Sequence, residues 1–484
     1  MGPITKILIV GGGSSGWMTA AMLCSYLPGV EISLIESSDV PTIGVGESTN
    51  LTMRGFQSLL ADFDEREFMR ATNSAYKIAI QFENFSRQGE TFLHPFGASA
   101  VPGHDGMFMH NAQALHLCTG LVNAGNGFSK RCDYSYQIDA GLYAEFLKQR
   151  FKKKGVRHIV DTIQQVVKSE SGEIARIETV SGQTLAADLY VDCTGFTSLL
   201  LDNTMNEPFQ SSAKYLRNDR AIAARTPYQD KATQLKTVTR CTALSAGWVW
   251  RIPLWSRLGT GYVYSSQYCT QDEAEAEYRE HMGSTLDKDA RLGHIQIRVG
   301  RHERAWVENC VGIGISYGFL EPLESTGLSL TQLSIVDLAS TLAKGYSSRL
   351  EQVMFNLRQS ELFDSTRDFI VAHYILTERE DSPYWKDLKY RGEVPDRLAE
   401  ILLDARHRRY TRAGEAHSMY KHMNWNLILS GMGYFKEYEE VQVKPKQPAA
   451  QNHAEYLAKH IYGENQTKPK FERKTDVLNT TWLG

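Results

Sequence analysis

The 484-residue sequence has little charge imbalance, few cysteines and no long apolar run, and each shortage narrows what the chain can be. Lys and Arg number 53 against 56 Asp and Glu, a net charge of −3, so no basic surplus draws it to nucleic acid or to an anionic membrane face. Its short basic clusters, Lys152-Lys153-Lys154 and Arg406 to Arg409, suit solvated helix faces. The seven cysteines (Cys24, Cys118, Cys132, Cys193, Cys241, Cys269, Cys310) are scattered, with no CxxC pair and no metal-ligand spacing. That pattern suits a reducing compartment and argues against a disulfide framework. No apolar stretch approaches the ~18 residues of a membrane span. The opening MGPITKILIVGGG lacks the charged and apolar regions of a signal peptide. The expectation is a cytoplasmic protein with no metal, nucleic-acid or membrane partner. Repeats and low-complexity linkers are missing too, so the domains are expected to interleave.

What is present is ample core: 42% hydrophobic against 23% charged residues is ordinary globular composition. Lys6 to Val10 reads as a buried strand, Trp17 to Leu27 as a helix ended by Pro28-Gly29, and Glu31 to Glu36 as a second strand. Tyr76 to Phe82 alternates with a period of two and predicts one half-buried strand. A helical stripe covers Ile138 to Phe151. Three strands, Ile163 to Val167, Ile174 to Val180 and Leu185 to Val191, joined by turns at Gly172 and Gly182, read as a β-meander. Arg349 to Gly433 is helical in pattern, and the Lys-, Pro-, Gln- and Asn-rich stretch from Gln442 is expected to pack loosely.

Gly11-Gly12-Gly13-Ser14-Ser15-Gly16 fits G-x-G-x-x-G and lies between that first strand and helix. Gly11 allows the tight turn, Gly13 the approach of a pyrophosphate, and Gly16 close helix–strand packing. The helix N-terminus offers N–H groups and a positive dipole end to phosphate. Glu36 closes the second strand 20 residues after Gly16, placed to accept ribose hydroxyls. The meander running into Asp192-Cys193-Thr194-Gly195, with Cys310 to Ile315 (including Gly314) as a last strand, resembles FAD folds of the monooxygenase and glutathione-reductase type. The fold class expected is therefore α/β, FAD-binding and monooxygenase-like, with an interleaved, largely helical substrate lobe. Residues 1–345 would form the FAD module with substrate-sheet segments near 85–135 and 205–300, residues 346–440 the helical lobe, and 441–484 a tail.

Three further segments resemble the flavin-dependent (tryptophan-type) halogenases. Trp248-Val249-Trp250-Arg251-Ile252-Pro253 matches that family's W-x-W-x-I-P signature. Its indoles at i and i+2 of a strand face one side as an apolar wall, which the resemblance sets between organic substrate and flavin. Pro322-Leu323-Glu324-Ser325-Thr326-Gly327 matches the P-L-E-S-T-G segment. There the N–H groups of Thr326 and Gly327 would hold halide at a helix N-terminus, Glu324 would handle protons and Ser325 would touch substrate. Lys77, in Tyr76-Lys77-Ile78-Ala79-Ile80, stands where the family has its catalytic lysine. By itself a lysine on that strand face would be read as solvated. Gly44-Val45-Gly46-Glu47-Ser48-Thr49 matches the strap beside the flavin, and His94-Pro95-Phe96 a segment that stacks on substrate. Phe363 to Phe369 and His373-Tyr374 also match family sequence and are read as structural.

The resemblance runs from residue 7 to about 435. It departs at the aromatic and acidic element that clamps free tryptophan: Arg406-His407-Arg408-Arg409-Tyr410 and Asn424-Trp425-Asn426 occupy that region instead. Other indoles, phenols or small electron-rich aromatics are expected as substrates. The resemblance implies FAD used as FADH2 from a separate flavin reductase, O2, and a halide (chloride, bromide or iodide). Hypohalous acid would pass a tunnel at Trp248, Trp250, Ile252 and Pro253 to Lys77. It would halogenate there either as a haloamine or hydrogen-bonded to the ammonium. A homodimer is left open. Two alternatives compete: an FAD-dependent aromatic hydroxylase or oxidoreductase, and a non-catalytic flavin-binding redox protein. Neither accounts for the signature together with Lys77 and Glu324.

Overall fold

A computed structural model describes residues 4–38, 46–60, 62–96, 127–128, 133–344, 348–407, 418–434 and 451–463. Gly44, Val45, Cys118, Cys132 and residues 408–410 lie outside the described residues.

The chain begins with β1 (Lys6–Val10), α1 (Ser14–Tyr26) and β2 (Glu31–Glu36). β1 pairs in parallel with β2 on one side and with Leu189–Asp192 on the other. The sheet grows to six strands by adding Arg157–Val160 beyond β2, and Cys310–Gly312 then Trp306–Val307 beyond Leu189–Asp192. Parallel strands covered on both faces read as continuous apolar runs, and Ile7 to Val10 are all buried. α1 is buried along most of its length, with Trp17, Met18 and Leu23 inaccessible, because it is packed between β2, the helix Ala140–Lys152 and the helix Thr326–Ala343.

The meander differs from its expected form. Ile163–Lys168, Ile174–Thr179 and Thr184–Leu185 make a separate three-stranded sheet, whereas Leu189–Asp192 leaves it for the parallel sheet. The expected third strand is thus two strands with different partners, and the chain crosses between sheets at residues 186–188.

The single strand expected from Tyr76 to Phe82 is also two. β3 (Glu47–Ser48) and β4 (Ala75–Lys77) flank Ser135–Ile138 in one small sheet. β5 (Ala79–Glu83) and β6 (Thr91–Pro95) join a seven-stranded sheet with Val238–Ala243, Gly247–Pro253, Leu258–Tyr264, Arg220–Thr226 and Gly293–Gln296. Ile78 is the pivot: its N–H donates to Thr237 O at 2.8 Å and its carbonyl accepts from Phe96 N at 2.9 Å. Both faces are therefore covered, and Tyr76, Lys77, Ile78, Ala79 and Ile80 are all buried. Alternating polarity misled because Lys77 is polar without being exposed.

The helical region contains Arg349–Ile375, Pro383–Arg391, Asp396–Arg406 and His422–Gly431. Part of the C-terminal stretch packs tightly, against expectation. Residues 453–462 turn as a helix in which His453, Leu457 and Ile461 are buried, and His453 Nε2 accepts the Tyr76 N–H at 3.2 Å. Among the described residues no helix is long and apolar enough to cross a membrane.

Candidate active site and cofactor cradle

The glycine loop after β1 is closed at its back and open at its front. A Cβ on Gly11 (φ +110°) would stand 2.4 Å from Cys193 O, and one on Gly16 would stand 1.9 Å from Gly11 O. Nothing lies within 4 Å of a Cβ built on Gly13, where backbone can meet a ligand. Gly13 also N-caps α1 without any side-chain cap, so first-turn amides remain for an anion. The side chains beside them are turned elsewhere: Ser14 Oγ donates to Ala140 O at 3.0 Å, and Ser15 Oγ lies under Gly314. Glu36 overhangs the loop, its Oε2 occupying the space a Gly12 Cβ would need, while Oε1 accepts from Lys148 Nζ at 3.0 Å and His158 Nε2 at 2.6 Å.

Asp192 serves this cradle indirectly. Its Oδ1 accepts from Thr194 N and Oγ1, and its Oδ2 from Leu200 and Leu201 N, at 2.7–3.0 Å. All four bonds shape the turn that carries Gly195, whose N–H donates to Ser316 Oγ at 3.0 Å and whose Cβ side is open. Gly46 and Glu47 continue the strap into β3, and desolvation pushes the Glu47 carboxyl up to about 7. An open glycine face, an uncapped helix and a carboxylate one strand away fit the diphosphate and ribose of FAD.

A second centre lies where β4, β6 and the turn before the Thr326–Ala343 helix meet. Lys77 is fully buried. Its Nζ donates to Thr49 O at 2.9 Å and Ser325 Oγ at 2.7 Å, and sits 4.9 Å from the Phe96 ring centre. Burial lowers its pKa to about 7, against the opposing pull of Glu324. The solvated lysine that strand polarity alone suggests is overturned.

Glu324 and Ser325 are both left-handed, φ +66° and +61°. For non-glycine residues that costs of order 1–3 kcal/mol each, and it turns their side chains to opposite partners. Ser325 does not cap the helix; it accepts from Lys77 and donates to Ser48 Oγ at 2.9 Å. Glu324 Oε2 accepts from His94 Nδ1 at 2.7 Å and Oε1 from His373 Nε2 at 3.0 Å. Burial works to raise this carboxyl, and the two imidazoles overcome it, holding the pKa at about 2. Asn424 Nδ2 donates to His94 Nε2 at 3.0 Å, so both His94 nitrogens are engaged and only its ring face is left for a substrate. His373 faces Phe369 O at 3.0 Å through Nδ1; carbonyl and carboxylate both accept, so it presents an N–H to each. His373, read as structural, thus belongs to the centre, and so does Asn424.

In the strand Gly247–Pro253, Trp248 and Trp250 are buried with ring centres 6.1 Å apart, and Ile252 and Pro253 extend the buried wall. The Trp250 indole lies flat over Gly261, where any Cβ would collide with it. The Trp248 indole also acts as a donor, reaching Glu321 Oε2 at 3.0 Å. Thr326 opens the long helix with its Oγ1 bonded to Glu321 O at 3.3 Å, and Gly327 is exposed. A small open cleft is lined by the Gly314–Leu320 loop, by Gly327 and Thr331, and by Phe363. Lys77, His94 and Glu324 are not among its lining residues. The turn 321–327 therefore has two sides, Gly327 on the open cleft and Glu324 and Ser325 packed against the buried His94, His373 and Lys77.

Sequence reasoning missed Glu321, Asn218, which donates to it, Tyr420, whose OH donates to Glu324 O at 3.3 Å, and Asn424. Only Glu321 had a signal, as the first acid of Glu321-Pro322-Leu323-Glu324. Asn424 was taken as a sign of a missing clamp, and its link to His94 crosses 330 residues.

A dinucleotide cradle alone would serve any flavoprotein; this chain also holds a fully buried amine brought to about 7 and a strand with two buried indoles. The fold and site together define a flavin-dependent halogenase. The family model described as tryptophan halogenase matches residues 6–446, and the chain belongs to that family. It is 37% identical over 436 residues to the tryptophan 6-halogenase SttH of Streptomyces toxytricini, covering 82% of this chain and 83% of that one. It is 38% identical over 423 residues to the tryptophan 7-halogenase RebH of Lentzea aerocolonigenes, covering 80% and 79%. A flavin-dependent halogenase from Xanthomonas campestris superposes with a TM-score of 0.83 at 29% identity, covering 95% of this chain and 98% of that one. The tryptophan C-6 halogenase of taromycin biosynthesis gives 0.80 at 36% identity, covering 88% and 90%.

Proposed function

We propose that the chain halogenates a small electron-rich aromatic, of indole or phenol type, with hypohalous acid that stays inside the protein between the cradle and Lys77. The observation that carries this reading is the Lys77 amine, fully buried, brought to about 7 and tied by two hydrogen bonds to Thr49 and Ser325.

FAD, received reduced from a separate flavin reductase, would supply with O2 the oxidising power that turns halide and a proton into hypohalous acid and water. Gly11, Gly13, Gly16, Glu36, Gly195 and Gly314 would hold it, together with Gly46 and Glu47. The N–H groups of Thr326 and Gly327 would hold the halide, where helix amides face an exposed backbone. Trp248, Trp250, Ile252 and Pro253 keep the aromatic substrate and the cradle apart while a small neutral acid passes. Confinement matters because free hypohalite oxidises Met and Cys.

At Lys77 two N–H bonds are committed to Thr49 O and Ser325 Oγ, and the remaining tetrahedral position of the neutral amine is a lone pair. That lone pair takes the halogen from hypohalous acid while one of the two N–H protons leaves with the hydroxide as water, so the haloamine keeps a single N–H bond. The aromatic, stacked on Phe96 and the face of His94, then takes the halogen, and its displaced ring proton passes by way of Glu324 to the Lys77 nitrogen, which is restored as the neutral amine. Held ionised by His94 and His373, Glu324 is a weak base that takes only a strongly acidic proton, such as that of the halogenated ring intermediate, and hands it on.

The test is an assay of indoles and phenols with reduced FAD, O2 and each halide in turn, read by mass spectrometry. A halide-dependent halogen mass is expected. Oxygen added regardless of halide would make the protein a hydroxylase, and flavin binding without product from the panel would make it a carrier.

A further inference from the structure

Glu321 is the second buried carboxylate of the turn, and the steps just described leave it without a task. It is fully inaccessible. Its Oε2 accepts three hydrogen bonds from three separate parts of the chain: Asn218 Nδ2 at 2.7 Å, Trp248 Nε1 at 3.0 Å and Tyr374 OH at 2.7 Å. Its Oε1 has no hydrogen-bond partner among the described residues. Burial raises its pKa, against the three donors. Such a convergence on one oxygen is far from any solvent and joins the loop before Arg220–Thr226, the signature strand and the Arg349–Ile375 helix.

The position of Glu321 explains its use. It precedes Pro322-Leu323 and then the left-handed pair Glu324–Ser325, the two residues that face His94, His373 and Lys77. A strained pair persists only when its surroundings hold both ends. One end is the start of the Thr326–Ala343 helix, closed back by the Thr326 Oγ1 bond to Glu321 O; the other is the Glu321 side chain. The Arg349–Ile375 helix grips both acids with consecutive residues, His373 on Glu324 and Tyr374 on Glu321.

We infer that Glu321 is a positioning residue, and that the indole N–H of Trp248 works through it to hold the Glu324–Ser325 turn against Lys77. The signature tryptophan is thereby a tether as well as a wall. The inference rests on the halogenation reading for its kinetic arm alone; its thermal arm needs only the protein without cofactor.

Four variants test it. Tyr374→Phe removes one donor and keeps its ring, and Trp248→Phe removes another while replacing the buried indole with a smaller phenyl. Glu321→Leu leaves all three donors unpaired, and Glu321→Gln keeps an acceptor oxygen in place. In the cofactor-free protein, Glu321→Leu and Trp248→Phe lower Tm, Glu321→Gln restores it to near the native value, and the double variant Trp248→Phe/Glu321→Leu melts no lower than Glu321→Leu alone. In turnover, Trp248→Phe lowers the halogenated product formed per reduced flavin consumed by fivefold or more, with the aromatic substrate's KM within twofold of native. Glu321→Gln stays within twofold on both counts.

If Glu321→Leu does not fold, Trp248→Phe and Tyr374→Phe still decide, since two donors to one oxygen must show non-additive losses. Fully additive losses would overturn the tether, as would a Trp248→Phe that raises the substrate KM but leaves product per flavin unchanged, the result of a wall alone. Should native protein yield no halogenated product, the function reading fails while the melting comparison still judges Glu321.

Discussion

Lys77 Nζ donates to Ser325 Oγ at 2.7 Å across 248 residues of sequence, and Ser325 passes the contact on to Ser48 Oγ at 2.9 Å. The bond joins a strand end to a left-handed turn and leaves the amine fully buried. A lysine so placed loses much of the hydration that favours its charged form, which is why its pKa falls to about 7.

Removing the amine should separate the two halves of the reaction. Lys77→Ala is expected to lose at least 100-fold in halogenated product while reduced flavin continues to be oxidised, measured by mass spectrometry beside flavin absorbance. Equal halogenation by the variant would take Lys77 out of the chemistry.

The same burial sets a pH dependence of stability. Lys77 titrates near 7 when folded and near 10.5 when unfolded, so between those values the unfolded chain binds the extra proton and stability rises with pH. Lys77→Met abolishes that dependence. Relative to native protein, the variant should gain roughly 2–3 kcal/mol on going from pH 9 to pH 6, because the interval from pH 9 to 7 lies between the folded and unfolded values. Denaturant melts at the two pH values check this; a gap independent of pH would mean that the amine is not held near 7. In turnover the neutral amine carries the halogen, so the rate should fall below pH 7. A rate that instead falls above pH 7 would identify the ammonium as the working form.

What was legible in the sequence was whatever is contiguous. Gly11 to Gly16 and Glu36 lie within one βαβ unit, and their geometry follows from strand, turn and helix. The W-x-W-x-I-P strand and the P-L-E-S-T-G turn were read from local pattern and family likeness, and both centres rest on them. What stayed hidden depends on contacts made across the fold. Lys77 is buried because β4 and β5 join different sheets at Ile78, and alternation of residue polarity carries no record of a second sheet. His373 and Asn424 converge on Glu324 and His94 from helices far along the chain. The partners of a buried carboxylate cannot be read from its neighbours in sequence.

Glu324 illustrates the electrostatic consequence. Its pKa of about 2 is held down by His94 and His373 against burial. A depressed carboxyl stabilises the fold above its unfolded value and loses that contribution as pH falls toward 2. His373→Gln removes one imidazole, so burial gains ground and the Glu324 pKa should rise toward the ordinary carboxylate value. The stabilising contribution is then smaller than in native protein above that value, and the stability gap between the two should narrow as pH falls from about 5 toward 2, read by denaturant melts. Glu324→Gln removes the acceptor itself and should slow turnover at least tenfold at every pH, with FAD affinity unchanged by fluorescence titration. Equal turnover by Glu324→Gln would leave the ring proton to another base.

Gly327 offers the sharpest test of the halide position because its side is empty. A Cβ there meets nothing within 4 Å, and the residue lies in the first turn of the Thr326–Ala343 helix. Alanine suits a helix better than glycine by up to ~1 kcal/mol. Gly327→Ala should therefore melt no lower than native protein. The added methyl would nevertheless stand beside the amide assigned to the halide, and bromide, being larger, should suffer more from it than chloride. The expected result is a halide KM raised severalfold for chloride and further for bromide, with FAD binding unaltered. A variant whose KM for both halides equals the native value would place the anion elsewhere along the cleft.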